Sequence, residues 1–181
     1  ALQKKVAIKI FHGIESDILE NGDLDYDADV LQCFDFVVSS IHMRFKMDQN
    51  TMTARIARAL ENPFTTILGH PTGRLLLSRP SYPMDWSVLL QTAQAHGVAI
   101  ELNGNPERLD FDWRLGAEVE KYGALVSVNP DAHSVSELEY ATYGEWMAEK
   151  AMISAQKIIN LLGVDEMEKY LWDRRQRAKQ I

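Results

Sequence analysis

Five short runs rich in Val and Ile, apolar on both faces, punctuate the chain. They are VAIKIFHGIE (6–15), FDFVVSSIH (34–42), TTILGH (65–70), VAIELN (98–103) and ALVSVNPD (124–131). Runs of this length without polar alternation predict strands of a parallel sheet covered on both sides. Helical patterns separate most of them. Residues 49–61 place Met52, Ile56, Ala59 and Leu60 on one stripe. Residues 86–96 follow Asp85 as N-cap and stop at Gly97, and residues 112–122 stop at Gly123 in the same way. Ser134 with Glu137 fits a capping box, and Asp165 with Glu168 does so less closely. The connection 16–33, containing NGDLDYD, predicts turn and loop. The segment DEMEKYLWDRRQRAKQI predicts an amphipathic helix with Met167, Tyr170 and Leu171 toward the body and RRQRAK as its solvated end.

Polar residues recur where the strands are expected to finish: Glu15, His42, His70, Asn103 and Asp131, at intervals of 27, 28, 33 and 28 residues. That is the period of a βα unit and predicts an α/β fold with right-handed crossovers. A barrel of the TIM kind and an open doubly wound sheet both fit. The barrel is favoured, because candidate polar residues stand at every strand end and not at one crevice. Five or six such units are too few for the roughly 250 residues of an eight-stranded barrel, so the barrel is smaller or partly absent.

The 181 residues suffice for one domain, spanning 1–181, and the 46% hydrophobic content excludes wholesale disorder. No apolar run is long enough for a bilayer, and ALQKK lacks a signal-peptide core, so no membrane partner is expected. Cys33, the sole cysteine, excludes an internal disulfide and points to a reducing, cytoplasmic setting. The net charge of −7 argues against a general nucleic-acid coating surface but leaves room for a local basic cleft. The chain opens with Ala, which is expected of a piece of a longer protein.

The strand-end residues are of the types that hold a borderline divalent metal: Glu15 in GIESDI, His42 in SSIHMRF, His70 in GHPTGR, and Asp131 and His133 in PDAH. A His before Pro is commonly a turn residue, and an Asp-x-His pair is commonly a helix cap beside a surface imidazole. Glu15 carries the sharpest argument, since a carboxylate on an apolar strand is costly unless paired or metal-bound. A bridging Glu15 could serve two metals and permit phosphoester cleavage. His12 reads as packed between sheet and helix, and His96 as a surface residue at a helix end. Arg44 and Arg74 flank the proposed ligands and are expected to hold a substrate phosphate; Arg108 is a weaker choice. Asn103 and Asn105 could line the same mouth, although Asn beside Gly and Pro usually forms turns.

GIESDIL, FVVSSIHMRF, ILGHPTGRLL, IELNGNPERLD and VNPDAHS together resemble the later motifs of PHP (polymerase and histidinol phosphatase) domains. The closest likeness is to the PHP domain at the C-terminus of bacterial X-family DNA polymerases, over nearly the whole chain. The resemblance implies a distorted (β/α)7 TIM-like barrel with up to three divalent ions, manganese or zinc, at its C-terminal mouth. Glu15 would bridge two of them, His42 and His70 would complete one, and Asp131 and His133 would contribute to the other two. It implies a metal-dependent phosphoesterase, a 3′–5′ exonuclease and DNA end-processing activity in repair; Glu15 and Asp131, with Arg44 and Arg74 from the reading of the residues above, are the expected catalytic groups. DNA and an N-terminal polymerase module would be its partners, and its role nucleoid-associated.

The family's opening H-x-H strand and a further pair of histidine positions do not precede Ala1, and Pro130 stands where Thr is usual. The chain is therefore expected to be the C-terminal portion of the domain, lacking the first strands and inactive or weak by itself. An open edge at residues 6–15 is expected to pair with a second copy. The alternatives are a histidinol-phosphate-type small-molecule phosphatase and a degenerate, non-catalytic PHP module.

Overall fold

The computed structural model describes residues 2–178. Five strands, β1 (Gly13–Asp17), β2 (Phe36–Ser40), β3 (Thr65–Leu68), β4 (Ala99–Asn103) and β5 (Leu125–Asn129), form one sheet in the order β1-β2-β3-β4-β5. Every neighbouring pair is parallel. Strands that follow one another in sequence are also neighbours in space, so the sheet has no point where strand order reverses. That is the order of a barrel wall and not of a doubly wound sheet.

The helices are α1 (Ala28–Leu31), α2 (Gln49–Glu61), α3 (Trp86–His96), α4 (Gly116–Tyr122), α5 (Ala141–Lys150) and α6 (Val164–Ala178). Helices α2, α3 and α4 pack side by side in chain order. The expected stripe on α2 is buried: Met52, Ile56, Ala59 and Leu60 are fully enclosed, against Leu89, Leu90 and Ala93 of α3 in the same core. The Asp85 carboxylate accepts from the Ser87 and Val88 amides, and Gly97 closes α3 at φ 68°. An L side chain resists that left-handed conformation, which is why glycine ends the helix. The segment 112–122 is a short 3-10 turn, Trp113–Leu115, followed by α4.

Several expectations need correction. The first strand does not run from residue 6. The ladder to β2 begins at Gly13 opposite Phe36, with the His12 carbonyl accepting from the Asp35 N–H just before it, and among the described residues none before Gly13 lies in a strand. Instead Gln3 hydrogen-bonds Ile8 and Ile10 across the turn, leaving Ile8 70% exposed. His12 is exposed against Phe34 and is not buried between layers. Helix α5 follows the Ser134–Glu137 region only after a 3-10 stretch, Ser136–Tyr140. The start of α6 is closed by Glu166, which accepts from the Gly163 amide, while Glu168 pairs with Lys9. The RRQRAK run is not simply solvated. Arg174 is buried and donates to the carbonyls of His96 and Thr65, and Arg175 reaches Asp35 at 3.2 Å.

The two sheet edges differ. Beside β5, Ile158 bridges Val126, and the Asn160 amide bonds both the N–H and the C=O of Val128. Among the described residues β1 is covered only at its end, where the Asp25 N–H donates to the Asp17 carbonyl at 3.0 Å, the Asp25 carboxylate accepts from the Asp17 N–H at 2.9 Å, and Leu24 bridges Ile18. Among the described residues no helix is long and apolar enough to cross a membrane.

Candidate metal centre

Three side chains converge beyond the C-terminal ends of β1, β2 and β3. Glu15 sits within β1, His42 two residues after β2, and His70 two residues after β3. A Glu15 carboxylate oxygen lies 3.4 Å from His42 Nε2 and 3.2 Å from His70 Nε2. One ligand atom from each residue falls within 4.8 Å of the others. The imidazole rings meet edge to face, with centroids 5.0 Å apart. His70 is 3% exposed at its side chain, whereas Glu15 and His42 are each 41% exposed, so the cluster opens to solvent on one side.

A divalent ion fits this group. One carboxylate and two imidazoles are the mixed N/O donor set that borderline metals prefer. Behind the ligands, His42 Nδ1 is bonded closely to Asp17. That contact leaves Nε2 toward Glu15, the arrangement in which a carboxylate orients a metal-binding imidazole. Hydrogen bonds from His42 and His70 hold the Glu15 carboxyl far below the usual carboxylate range, against its desolvation. Glu15, and then Asp17, push His42 up to about 9. Residues 15 and 17 share one face of a strand, the signal that could have identified Asp17 in the sequence.

Beside the cluster, at the ends of β4 and β5, lies a second polar group of different character. Glu101 is buried on all sides and accepts from the His70 backbone N–H at 2.5 Å, from the Asn103 amide at 3.0 Å and from the Asn129 amide at 2.8 Å. Burial pushes its carboxyl upward, and these donors offset part of that. The Asn103 amide also donates to Asp131 at 3.0 Å, and Arg108 Nε lies 3.2 Å from the same carboxylate. The network thus fixes the backbone of His70 and the side chain of Asp131 together. Glu101, unpredicted from the sequence, carries the same signal as Glu15: an acid within an apolar strand.

Asp131 and His133 stand at this rim but outside the compact group of three. His133 is 76% exposed at its side chain, its Nδ1 4.0 Å from an Asp131 carboxylate oxygen. Glu137 accepts from its backbone N–H at 2.8 Å. The arginines also separate. Arg44 is exposed, with Nε 3.7 Å from Glu20. Arg74 does not present a free fork: it donates to the carbonyls of Arg108 and Leu109 and reaches Asp112 at 3.1 Å, fastening the loop that follows β4. Arg108, the weaker expectation, is the one at the site, and its Nη1 is buried with no hydrogen-bond partner. Asn105 is a turn former, accepting from the Glu107 amide. His96 lends its carbonyl to Arg174 and Arg177.

At the opposite, N-terminal ends of the strands, a pocket of about 160 Å³ is lined by Leu31, Phe34, Phe64 and Arg174. It holds none of the clustered donors.

Comparison with known proteins bears on this rim. No family model matches the chain. Over 163 residues, 90% of its length, it is 35% identical to the DNA polymerase/3′-5′ exonuclease PolX of Bacillus subtilis (strain 168), of which it spans 29%. Over 188 residues it is 26% identical to a protein of Caldanaerobacter subterraneus subsp. tengcongensis named as a probable phosphatase, with 97% of this chain and 70% of that protein covered. A third relative, named as a probable phosphatase of Thermoanaerobacter sp. (strain X514), is 28% identical over 144 residues, 72% of this chain and 55% of that protein. The chain is thus similar to proteins named for phosphoester cleavage, and it spans less than a third of the polymerase.

Proposed function

We propose that this chain is part of a PHP-type, metal-dependent phosphoesterase domain that processes DNA 3′ ends within an X-family polymerase. The observation that carries the reading is the Glu15–His42–His70 cluster at the C-terminal rim of a consecutively ordered parallel sheet. Its likeness to PolX across 90% of the chain supports the polymerase setting. The five strands would be a contiguous part of a seven-stranded barrel, with the polymerase module N-terminal to it and the protein in the cytoplasm. The edge of β1 before Asp17 would pair with a second copy; a monomer by light scattering at high concentration would overturn that part.

A manganese or zinc ion held by Glu15, His42 and His70 would supply Lewis-acid stabilisation of charge on the phosphoryl oxygens and ease deprotonation of the attacking water. The chain's own groups prepare for this. Asp17 orients His42, Glu101 fixes the backbone of His70, and Asn103 and Arg108 hold Asp131 at the rim. Asp131 and His133 would serve further ions in the intact domain, up to three in all. Arg108, with an unused N–H, is better placed for a phosphate oxygen than Arg74, while exposed Arg44, paired with Glu20 at 3.7 Å, is accessible to substrate.

The test is metal content by elemental analysis after purification in zinc or manganese. The wild-type chain should retain metal, and His70→Ala should lose it; unchanged content refutes the assignment. A small-molecule phosphatase is the second reading, favoured by the probable phosphatase of which this chain covers 70%. Comparing hydrolysis of a DNA 3′ end with that of a small phosphomonoester, in the intact protein, separates the two.

A further inference from the structure

Immediately beyond His42 the chain turns into an exposed loop whose charge runs against that of the whole. Arg44 and Lys46 from this loop, with Arg79 from the segment before α3, face a groove of about 750 Å³ in which Glu20 is the one acid. In a chain of net charge −7, three cations against one carboxylate is a local reversal. The cations are also weakly compensated. Arg44 meets Glu20 only at 3.7 Å. Lys46 is exposed and has no ion-pair partner among the described residues. Arg79 has no carboxylate partner there either; its Nε donates to the Gly73 carbonyl at 2.7 Å.

That bond anchors the Arg79 guanidinium over the Phe45 ring. Its central carbon lies 4.1 Å from the centroid of the Phe45 ring, and Phe45 stacks in turn toward Tyr82, with centroids 6.3 Å apart and planes 16° apart. The result is a layered stack with a cationic plane attached to it. The support is stiff: Leu75 and Arg79 exchange backbone hydrogen bonds at 2.8 and 2.9 Å, and Pro80 and Pro83 restrict the segment that follows.

We propose that this groove is a track for single-stranded DNA that leads a strand to the Glu15–His42–His70 cluster; the proposal rests on the phosphoesterase reading above. Arg44 and Lys46 would meet successive phosphates, and an unpaired base would stack on the face of Arg79 turned away from Phe45. Flat guanidinium and aromatic surfaces combined with a cationic groove are what unstacked nucleic acid requires. Arg44 lies two residues beyond His42, so its Cα is at most about 7 Å from that of a proposed ligand. Between the cations the groove is lined by Phe45, Met47, Pro80, Tyr82 and Pro83, apolar surface that suits unstacked bases between phosphate contacts.

The test is fluorescence anisotropy of a labelled oligo(dT) with the whole chain in EDTA, where no divalent ion contributes. Lys46→Glu, at a site with no partner to lose, should weaken binding about tenfold and flatten the salt dependence by about 0.7 in log–log slope. Arg79→Lys keeps the charge but loses the plane. It should weaken binding about tenfold with the salt slope retained, as the loss of one stacked base would. Lys121→Glu, which makes the same charge change beside Glu118 and away from the groove, should stay within about twofold of wild type. Duplex DNA should bind at least about tenfold more weakly than the single strand, because its bases are already stacked. The proposal is overturned if Lys46→Glu and Arg79→Lys both bind like wild type, if duplex binds as tightly, or if labelled polyglutamate binds as tightly as oligo(dT). Metal content, measured separately, reports on the triad alone, so failure of the groove and failure of the metal site remain distinguishable.

Discussion

The two halves of the C-terminal rim are built from similar residue types and solve opposite problems. On the β1–β3 side, Glu15 and His42 stay two-fifths exposed and have mainly each other, His70 and Asp17 as partners. On the β4–β5 side, Glu101 is enclosed and accepts three hydrogen bonds from protein donors. An acid that receives its donors from the fold is a structural element, and its loss leaves those donors stranded. An acid at an open rim whose chief donors are two imidazoles, themselves metal-binding groups, suits an ion. The comparison teaches that Glu15 should matter for metal and little for folding, and Glu101 the reverse.

The largest expected effect is on the open side. His70→Ala removes the one buried imidazole of the cluster, and metal affinity should fall by more than about 100-fold, read by competition with a zinc chelator. Glu15→Gln should lower metal affinity while shifting the thermal midpoint little. If Glu15→Gln instead unfolds the chain, the contrast between the halves is wrong.

The enclosed side should answer in stability. Glu101→Ala deprives the His70, Asn103 and Asn129 N–H groups of their acceptor and opens a cavity, for a cost of about 3–5 kcal/mol in urea denaturation. Glu101→Gln keeps one acceptor and should cost less. A loss below about 1 kcal/mol for Glu101→Ala would show that the network contributes no more than an exposed pair does.

How much of this contrast the sequence carried depends on what each feature rests on. The strand cores of β2 to β5, and helices α2 and α3 with their Asp85 and Gly97 signals, follow from local pattern and capping chemistry. The start of β1 does not, because Val6, Ile8 and Ile10 look like a strand in sequence but have no neighbouring strand among the described residues. Arg174 reads as a solvated end because nothing local announces that carbonyls 78 and 109 residues away will need its fork. At the rim, residue type singles out Glu15, His42 and His70 as candidates, and the structure brings these three together. Spacing along the chain could not separate them from Asp131 and His133, since their distance across the mouth is set by sheet curvature. Asp17 lies in a stretch whose turn-forming composition reads as a loop, whereas β1 extends through it and sets it on the face of Glu15.

A pH test sharpens the enclosed side further. Asp110 accepts from the Thr72 backbone N–H at 3.1 Å, and burial pushes its carboxyl up to about 6 from an ordinary 3.8, with His70 and Arg74 opposing the shift. Because the folded value is the higher one, the folded state resists ionisation. Asp110 therefore favours folding most below pH 3.8 and loses that advantage as pH rises toward 6. Two units correspond to about 3 kcal/mol. Asp110→Asn keeps an acceptor for Thr72 and cannot ionise. Its stability relative to wild type should rise between about pH 4 and 6 by up to about 3 kcal/mol and then level. Urea melts of both proteins in EDTA across that range would show it, and parallel curves would place Asp110 with the solvated carboxylates.

The smallest effect expected is also the most specific to the open side. Asp17 touches no substrate in this reading and acts through His42 Nδ1. Asp17→Asn replaces an anionic acceptor by an amide that can turn either its oxygen or its nitrogen toward the ring. The imidazole then loses its fixed tautomer and part of its basicity, and metal affinity should fall about 10- to 100-fold. Asp17→Glu, with the charge retained, should recover part of the loss. A role confined to packing would leave affinity where it was in both variants. It would also leave unchanged the proton count released on metal binding, which titration calorimetry in buffers of different ionisation enthalpy measures. If Asp17→Asn binds metal as wild type does, His42 needs no orienting carboxylate. The open half of the rim would then be three ligands without support, and the division between an ion-holding and a self-satisfied side would rest on exposure alone.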